Sequence, residues 1–166
     1  MENLKIKVKK NTSFKGKIIV SSYRIAHYFR LKMNNKFKYL LFSPIIILYT
    51  FLTDIILGCE IPASTKIGKG LIIHHARGLV INRDVVIGNN VTLKHNITIG
   101  NKISLKGVDL GCPIISDNVE ISPHSIIIGP VFIGKNAFIG AGSVVLKDVP
   151  ENTIVGGNPA KVILSI

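Results

Sequence analysis

The stretch I115-S-D-N-V-E-I121-S-P-H-S-I-I127-I-G-P-V-F-I133-G-K-N-A-F-I139-G-A-G-S-V-V145 carries an aliphatic residue at every sixth position. Upstream the same beat is kept by Ile61, Ile67 and Ile73, then by Ile81, Ile87, Leu93 and Ile99. Leaving aside the unit that starts at Ile73, twelve hexads result. In nine of them the fourth position is Gly70, Asp84, Asn90, Asn96, Asn118, His124, Asn136, Gly142 or Asp148. Glycine, asparagine, aspartate and histidine are the residues that best tolerate a left-handed backbone. The fifth position is small or aliphatic, as in Val85, Val91, Ile97, Val119, Val131 and Ala137. Each hexad therefore reads as a short strand and a tight turn, with one large aliphatic side chain pointing inward. A unit of this kind cannot bury its own apolar face, so units stack into a solenoid. Three hexads per coil predict a triangular prism with coils about 4.8 Å apart.

The beat breaks twice. From Ile73 to Ile81 it takes eight residues, I73-H-H-A-R-G-L-V-I81, and the two extra positions accompany adjacent histidines, His74 and His75. From Ile99 to Ile115 it takes sixteen residues where two hexads need twelve, which predicts a loop leaving the prism at about residues 101–113. Loops on a rigid scaffold often carry specificity.

Residues 1–58 follow another grammar. They hold eleven Lys or Arg against Glu2 and Asp54, a net of +9 of the total +12. The cations adjoin the apolar run Tyr39–Leu57 and no nucleic-acid module accompanies them, so the expectation is no nucleic-acid partner. A basic, apolar segment suits peripheral contact with an anionic membrane surface, or a solvated face. Ser21–Lys32 reads as a serine-capped helix with Tyr23, Ala26, His27 and Phe29 to one side. Pro44 is expected to divide the apolar run into helices over 37–42 and 44–57, with Ser43 as a cap. Two cysteines, Cys59 and Cys112, form no disulfide framework or metal-ligand spacing, and no signal peptide is visible, so a cytoplasmic setting is expected.

Taken together, Y23-R-I-A-H27, E60-I-P-A-S-T-K-I-G-K-G70, I73-H-H-A-R-G-L-V-I81, V91-T-L-K-H-N-I-T-I-G100 and I139-G-A-G-S-V-V-L-K-D-V-P-E-N-T-I-V-G-G-N-P-A-K-V162 resemble the hexapeptide-repeat acyltransferases, in the serine-acetyltransferase branch. The resemblance implies a mainly β fold, a left-handed parallel β-helix over 59–166 behind a short helical region over 1–58. It also implies acetyl-CoA as co-substrate and a homotrimer with active sites between prisms. The family's catalytic histidine falls on His75. Its partner acid, an aspartate in the family, falls on Glu60. Family contacts to coenzyme A fall on Gly100, Asn101, Pro123, Ala141 and Gly142, with Lys147 near a phosphate. His95, Lys106 and Asp109 are candidates for the acceptor.

Serine acetyltransferases carry an Arg-His-Pro after the inserted loop. Here the residues are Gly111, Cys112 and Pro113. Together with the short N-terminal region, this shifts the expected acceptor from serine to a sugar hydroxyl. The colanic acid and capsule O-acetyltransferases are the closer likeness. A serine O-acetyltransferase and a non-catalytic β-helix scaffold are the alternatives. A zinc site of the γ-class carbonic anhydrase kind is not expected. His75, His95 and His124 are separated by 20 and 29 residues, and the close histidine pair of that family is missing. Because neighbours on a strand face opposite sides, His74 is expected to be structural.

Overall fold

The computed structural model describes residues 13–166; the lysine-rich first twelve lie outside the described residues. Helix α1, Phe14–Lys32, is followed by α2, Lys36–Thr50, and by a wider π-turn segment, Phe51–Ile56. Fourteen short strands then build three parallel faces. The first face stacks β1 (Cys59–Glu60), β4 (Leu79–Ile81), β7 (Thr98–Gly100), β10 (Ile126–Ile128) and β13 (Val144–Val145). The second stacks β2 (Lys66–Ile67), β5 (Val86–Ile87), β8 (Ile114–Ile115) and β11 (Phe132–Ile133). The third stacks β3 (Ile72–Ile73), β6 (Thr92–Leu93), β9 (Glu120–Ile121), β12 (Phe138–Ile139) and β14 (Thr153–Gly156). Strand β15, Lys161–Ser165, turns back antiparallel on β14.

The register confirms three hexads per coil. Ile81 lies under Ile99, Ile115 under Ile133, Ile121 under Ile139 and Ile127 under Val145, each pair eighteen residues apart. The repeating aliphatics and the fifth-position residues fill the interior, from Ile61 through Val145, almost wholly buried. Of the nine fourth-position residues, seven are left-handed: Gly70, Asn90, Asn96, Asn118, His124, Asn136 and Gly142. Asp84 and Asp148 are not. Asp148 instead accepts from the Phe132 N–H across the coils at 2.7 Å.

The inserted loop is longer than the spacing suggests. Ile87 pairs with Ile115, twenty-eight residues on, so a single prism side separates Ile99 from Ile115 and ten residues are extra. Counting two hexads there treats loop residues as a prism side. The loop closes on an antiparallel bridge between Ile103 and Asp109. Asp109 ties its base by accepting from Gly111 N–H and Asn101 Nδ2, both at 2.9 Å. Those donors hold its carboxyl below the ordinary carboxylate range, Gly111 foremost.

Two helix expectations need correction. Helix α1 starts at Phe14, where Ser13 accepts from Gly16 N–H at 3.1 Å; Ser21 and Ser22 lie inside it. Pro44 also sits inside α2 and does not divide it. Proline cannot donate to the carbonyl four residues back. The Ser43 hydroxyl donates to the Leu40 carbonyl at 3.3 Å instead, so the serine acts as a substitute donor and not as a cap.

The two helices close the open end of the prism, as a solenoid requires. The carbonyls of the first coil have no coil beneath them, and α1 and α2 supply donors. Tyr23 donates to the Thr65 carbonyl at 2.6 Å, and Arg24 to Ile67 and Gly68. His27 Nδ1 meets Ala63 O at 2.8 Å, and Tyr49 donates to Ile61 O at 2.5 Å. Gly16 lies against the backbone of Ile73, leaving no room for a side chain. The Y23-R-I-A-H27 motif is thus the lid of the prism.

This cap predicts a stability effect with a pH signature. Tyr23→Phe is expected to cost about 1 kcal/mol and Arg24→Ala about 1.5–3 kcal/mol in urea unfolding. Burial raises the Tyr23 phenol from its ordinary 10.0 to about 12, and raises Tyr49 as well. The protonated phenols therefore contribute stability that is intact below about pH 10 and lost as pH rises through the folded-state value. Denaturant midpoints measured across pH 8 to 12 should fall less steeply for Tyr23→Phe than for the unaltered chain.

Candidate active site

The register locates the two extra residues of the irregular unit. His74 N–H donates to the Leu93 carbonyl at 2.9 Å, which sets His74 level with Lys94. Asn96 N–H donates to the Arg77 carbonyl at 2.9 Å, which sets Arg77 level with His95. Three steps of chain on the lower coil thus match one step on the upper, and the surplus is His75 and Ala76. Ala76 turns inward and is buried, while His75 is exposed.

Strand β3 ends at Ile73, and His75 sits on the corner with φ 54°. The expectation that His74 and His75 diverge as neighbours on a strand is therefore replaced by a bend. A left-handed, non-glycine conformation costs energy and persists only when its surroundings impose it. Here the bulge lifts one imidazole out of the prism wall.

The same corner continues along the prism. His124 N–H donates to His95 O at 3.2 Å, and Gly142 N–H to Pro123 O at 2.9 Å. His95, Pro123 and Ala141 consequently rise in one column above Arg77, with His124 and Gly142 in the next. The rings of His75 and His95 meet edge to face with centroids 5.9 Å apart, and those of His95 and His124 at 5.4 Å. Spacings of 20 and 29 residues conceal this row, because one contains the bulge and the other the ten-residue loop. Among the described residues no group of three His, Cys, Asp or Glu is placed to hold a metal ion. Nδ1 of His95 is buried without a hydrogen-bond partner, a donor or acceptor beside the exposed ring of His75.

Glu60 stands on β1, where its Cα pairs with that of Val80 on β4. Its side chain is exposed. The corner preceding it is bonded to the His75 corner through Gly78 N–H and Gly58 O at 2.7 Å. The carboxylate makes no ion pair with His75; among the described residues the one salt bridge joins Lys94 to Glu120 at 2.7 Å.

The remaining candidates fall at two edges of the first face. Pro123, Ala141 and Gly142 share the corner of His75 and His95. A Cβ built on Gly142 meets nothing within 4 Å, so this end of the column is open. Gly100 ends β7, Asn101 follows it and Lys147 follows β13, at the opposite edge, where the loop bearing Lys106 and Asp109 also departs. Within one protomer the two groups are not brought together. Asn101 is occupied there, accepting from Asn82 at 3.2 Å and donating to Asp109. Both cysteines are free, Cys59 buried and Cys112 partly so.

Comparison with known proteins agrees with this geometry. Residues 112–147 match the family model described as bacterial transferase hexapeptide (six repeats). The chain is 40% identical over 146 residues to WcaB of Escherichia coli strain K12, by its name a candidate colanic acid biosynthesis acetyltransferase; the match covers 87% of this chain and 88% of that one. Among solved structures it resembles a Neisseria gonorrhoeae serine acetyltransferase in complex with serine, at 35% identity and TM-score 0.70, covering 91% of this chain and 57% of that one. It also resembles a serine acetyltransferase from Brucella abortus in complex with coenzyme A, at 32% identity and TM-score 0.72, covering 91% and 56%. The chain thus spans a little over half the length of those serine acetyltransferases. Repeat, corner bulge and kinship coincide: this chain belongs to the hexapeptide-repeat acyltransferases, with the left-handed β-helix fold of their serine-acetyltransferase-like branch.

Proposed function

We propose that the protein transfers the acetyl group of acetyl-CoA to a sugar hydroxyl of a capsule or exopolysaccharide unit. The observation that carries this reading is the His75–Ala76 bulge. It sets an exposed imidazole at the foot of a corner lined further up by Pro123, Ala141 and the adjoining Gly142, along which a slender pantetheine arm fits. His75 removes the proton of the acceptor hydroxyl, an imidazole being suited to the task near neutral pH. The oxygen attacks the thioester carbonyl, the carbon–sulfur bond breaks, and the imidazolium returns its proton to the departing thiolate. Glu60 orients His75 through its other nitrogen once the two side chains close up around substrate. The ring of His95, set edge to face against His75, borders the acceptor.

In a cytoplasmic homotrimer, packing of adjacent prisms sets the edge with Gly100, Asn101 and Lys147 of one protomer against the His75 corner of the next. The loop carrying Lys106 and Asp109 then covers the acceptor. Gly111 and Cys112 provide no charged side chain for the carboxylate of serine. Incubation with acetyl-CoA and either L-serine or a panel of sugars and oligosaccharides, following thiol release and product mass, tests the acceptor. Sugar-dependent release is expected; rapid turnover of serine alone would instead make the protein a short serine acetyltransferase.

A further inference from the structure

Helix α2 and the π-turn behind it form one apolar rod, Lys36–Ile56, of 21 residues and mean hydropathy 1.9. At 1.5 Å per residue it is about 30 Å long, yet little of it is buried against the rest of the chain. Its inner side packs through Tyr49 and Thr53. Its outer side presents Phe37, Leu40, Leu41, Leu48, Phe51 and Ile55, each more than half exposed. Spacings of three and four residues set these on one stripe, broader than the narrow seam of a coiled coil because Leu40 and Ile47 widen it. Soluble monomers rarely leave so continuous an apolar surface open.

The charges beside the stripe say what covers it. Lys32 closes α1, and Lys36 and Lys38 open α2. Asp54 is the single acidic residue between positions 13 and 58, and it accepts a hydrogen bond from Thr53 at 3.0 Å. A second copy of this face would bring the same surplus of cations. An anionic bilayer surface offers both an apolar layer for the stripe and negative headgroups for the lysines.

We propose that the outer side of Lys36–Ile56 lies in the interface of an anionic phospholipid membrane, with Lys32, Lys36 and Lys38 at the headgroups. The prism then stands on the bilayer by its capped end.

The test is co-sedimentation of the full chain with vesicles of mixed phosphatidylglycerol and phosphatidylcholine, and with vesicles of phosphatidylcholine alone. Molar mass is measured by light scattering in parallel. Binding is expected to the anionic vesicles, weaker to the neutral ones and weakened by salt. Leu41→Glu with Leu48→Glu should reduce it by at least about tenfold per leucine, with circular dichroism and oligomeric mass unchanged. Should that variant misfold, Lys32→Glu, Lys36→Glu and Lys38→Glu together should abolish the preference for anionic lipid. Absence of vesicle binding, or binding that neither variant alters, would overturn the proposal. So would a change of oligomeric mass in the leucine variant without vesicle binding, which would make a second copy the occupant.

Discussion

Replacing His75 by alanine is expected to lower the rate of acetyl transfer roughly 10²–10⁴-fold, the usual contribution of a positioned general base. His75 is exposed on a corner, and the coil around it is held by the backbone bonds of His74, Arg77 and Gly78, whatever its side chain. The variant should therefore fold and melt as the unaltered chain does. The loss should appear in kcat at saturating acetyl-CoA, because the imidazole acts on the reacting hydroxyl while the donor is held along the corner of Pro123, Ala141 and Gly142. An equal rate in His75→Ala would remove the base from the mechanism.

The second large effect is expected from deletion of His75 and Ala76 together. What remains, I73-H74-R77-G78-L79-V80, is a regular hexad with glycine fourth and leucine fifth. Gly78 already has the left-handed φ of 66° that this position takes elsewhere. Losing the buried methyl of Ala76 costs about 0.8 kcal/mol. Removing a left-handed non-glycine residue relieves about 1–3 kcal/mol. The shortened chain should therefore keep its stability within a few kcal/mol while its acetyl transfer falls to background. The pair thus separates the two roles of this stretch: the period carries the fold, and the departure from it carries the chemistry.

The prism was legible in the sequence because one aliphatic per hexad and a left-handed residue at the fourth position are local requirements repeated many times. Breaks in that beat marked both the bulge and the loop. The histidine row was not legible, because insertions of two and ten residues lie between its members; subtracting them from the spacings puts His95 and Pro123 in one column. The lid role of Tyr23, Arg24, His27 and Tyr49 was hidden for another reason. Their partners are carbonyls, and backbone acceptors leave no trace in side-chain pattern. Pro44 misled because its cost is local and Ser43 offsets it with a hydroxyl. The division of the expected donor contacts between two edges of the first face becomes visible only once strand order is known.

The most direct test follows thiol release from acetyl-CoA, with a sugar acceptor present, by the unaltered chain and by the chain lacking His75 and Ala76. Circular dichroism and thermal melting are recorded on both. Acceptor-dependent release is expected from the first, and the second chain is expected to fold yet release thiol no faster than buffer. A folded second chain that still turned over would show that the break in the period does not make the active site.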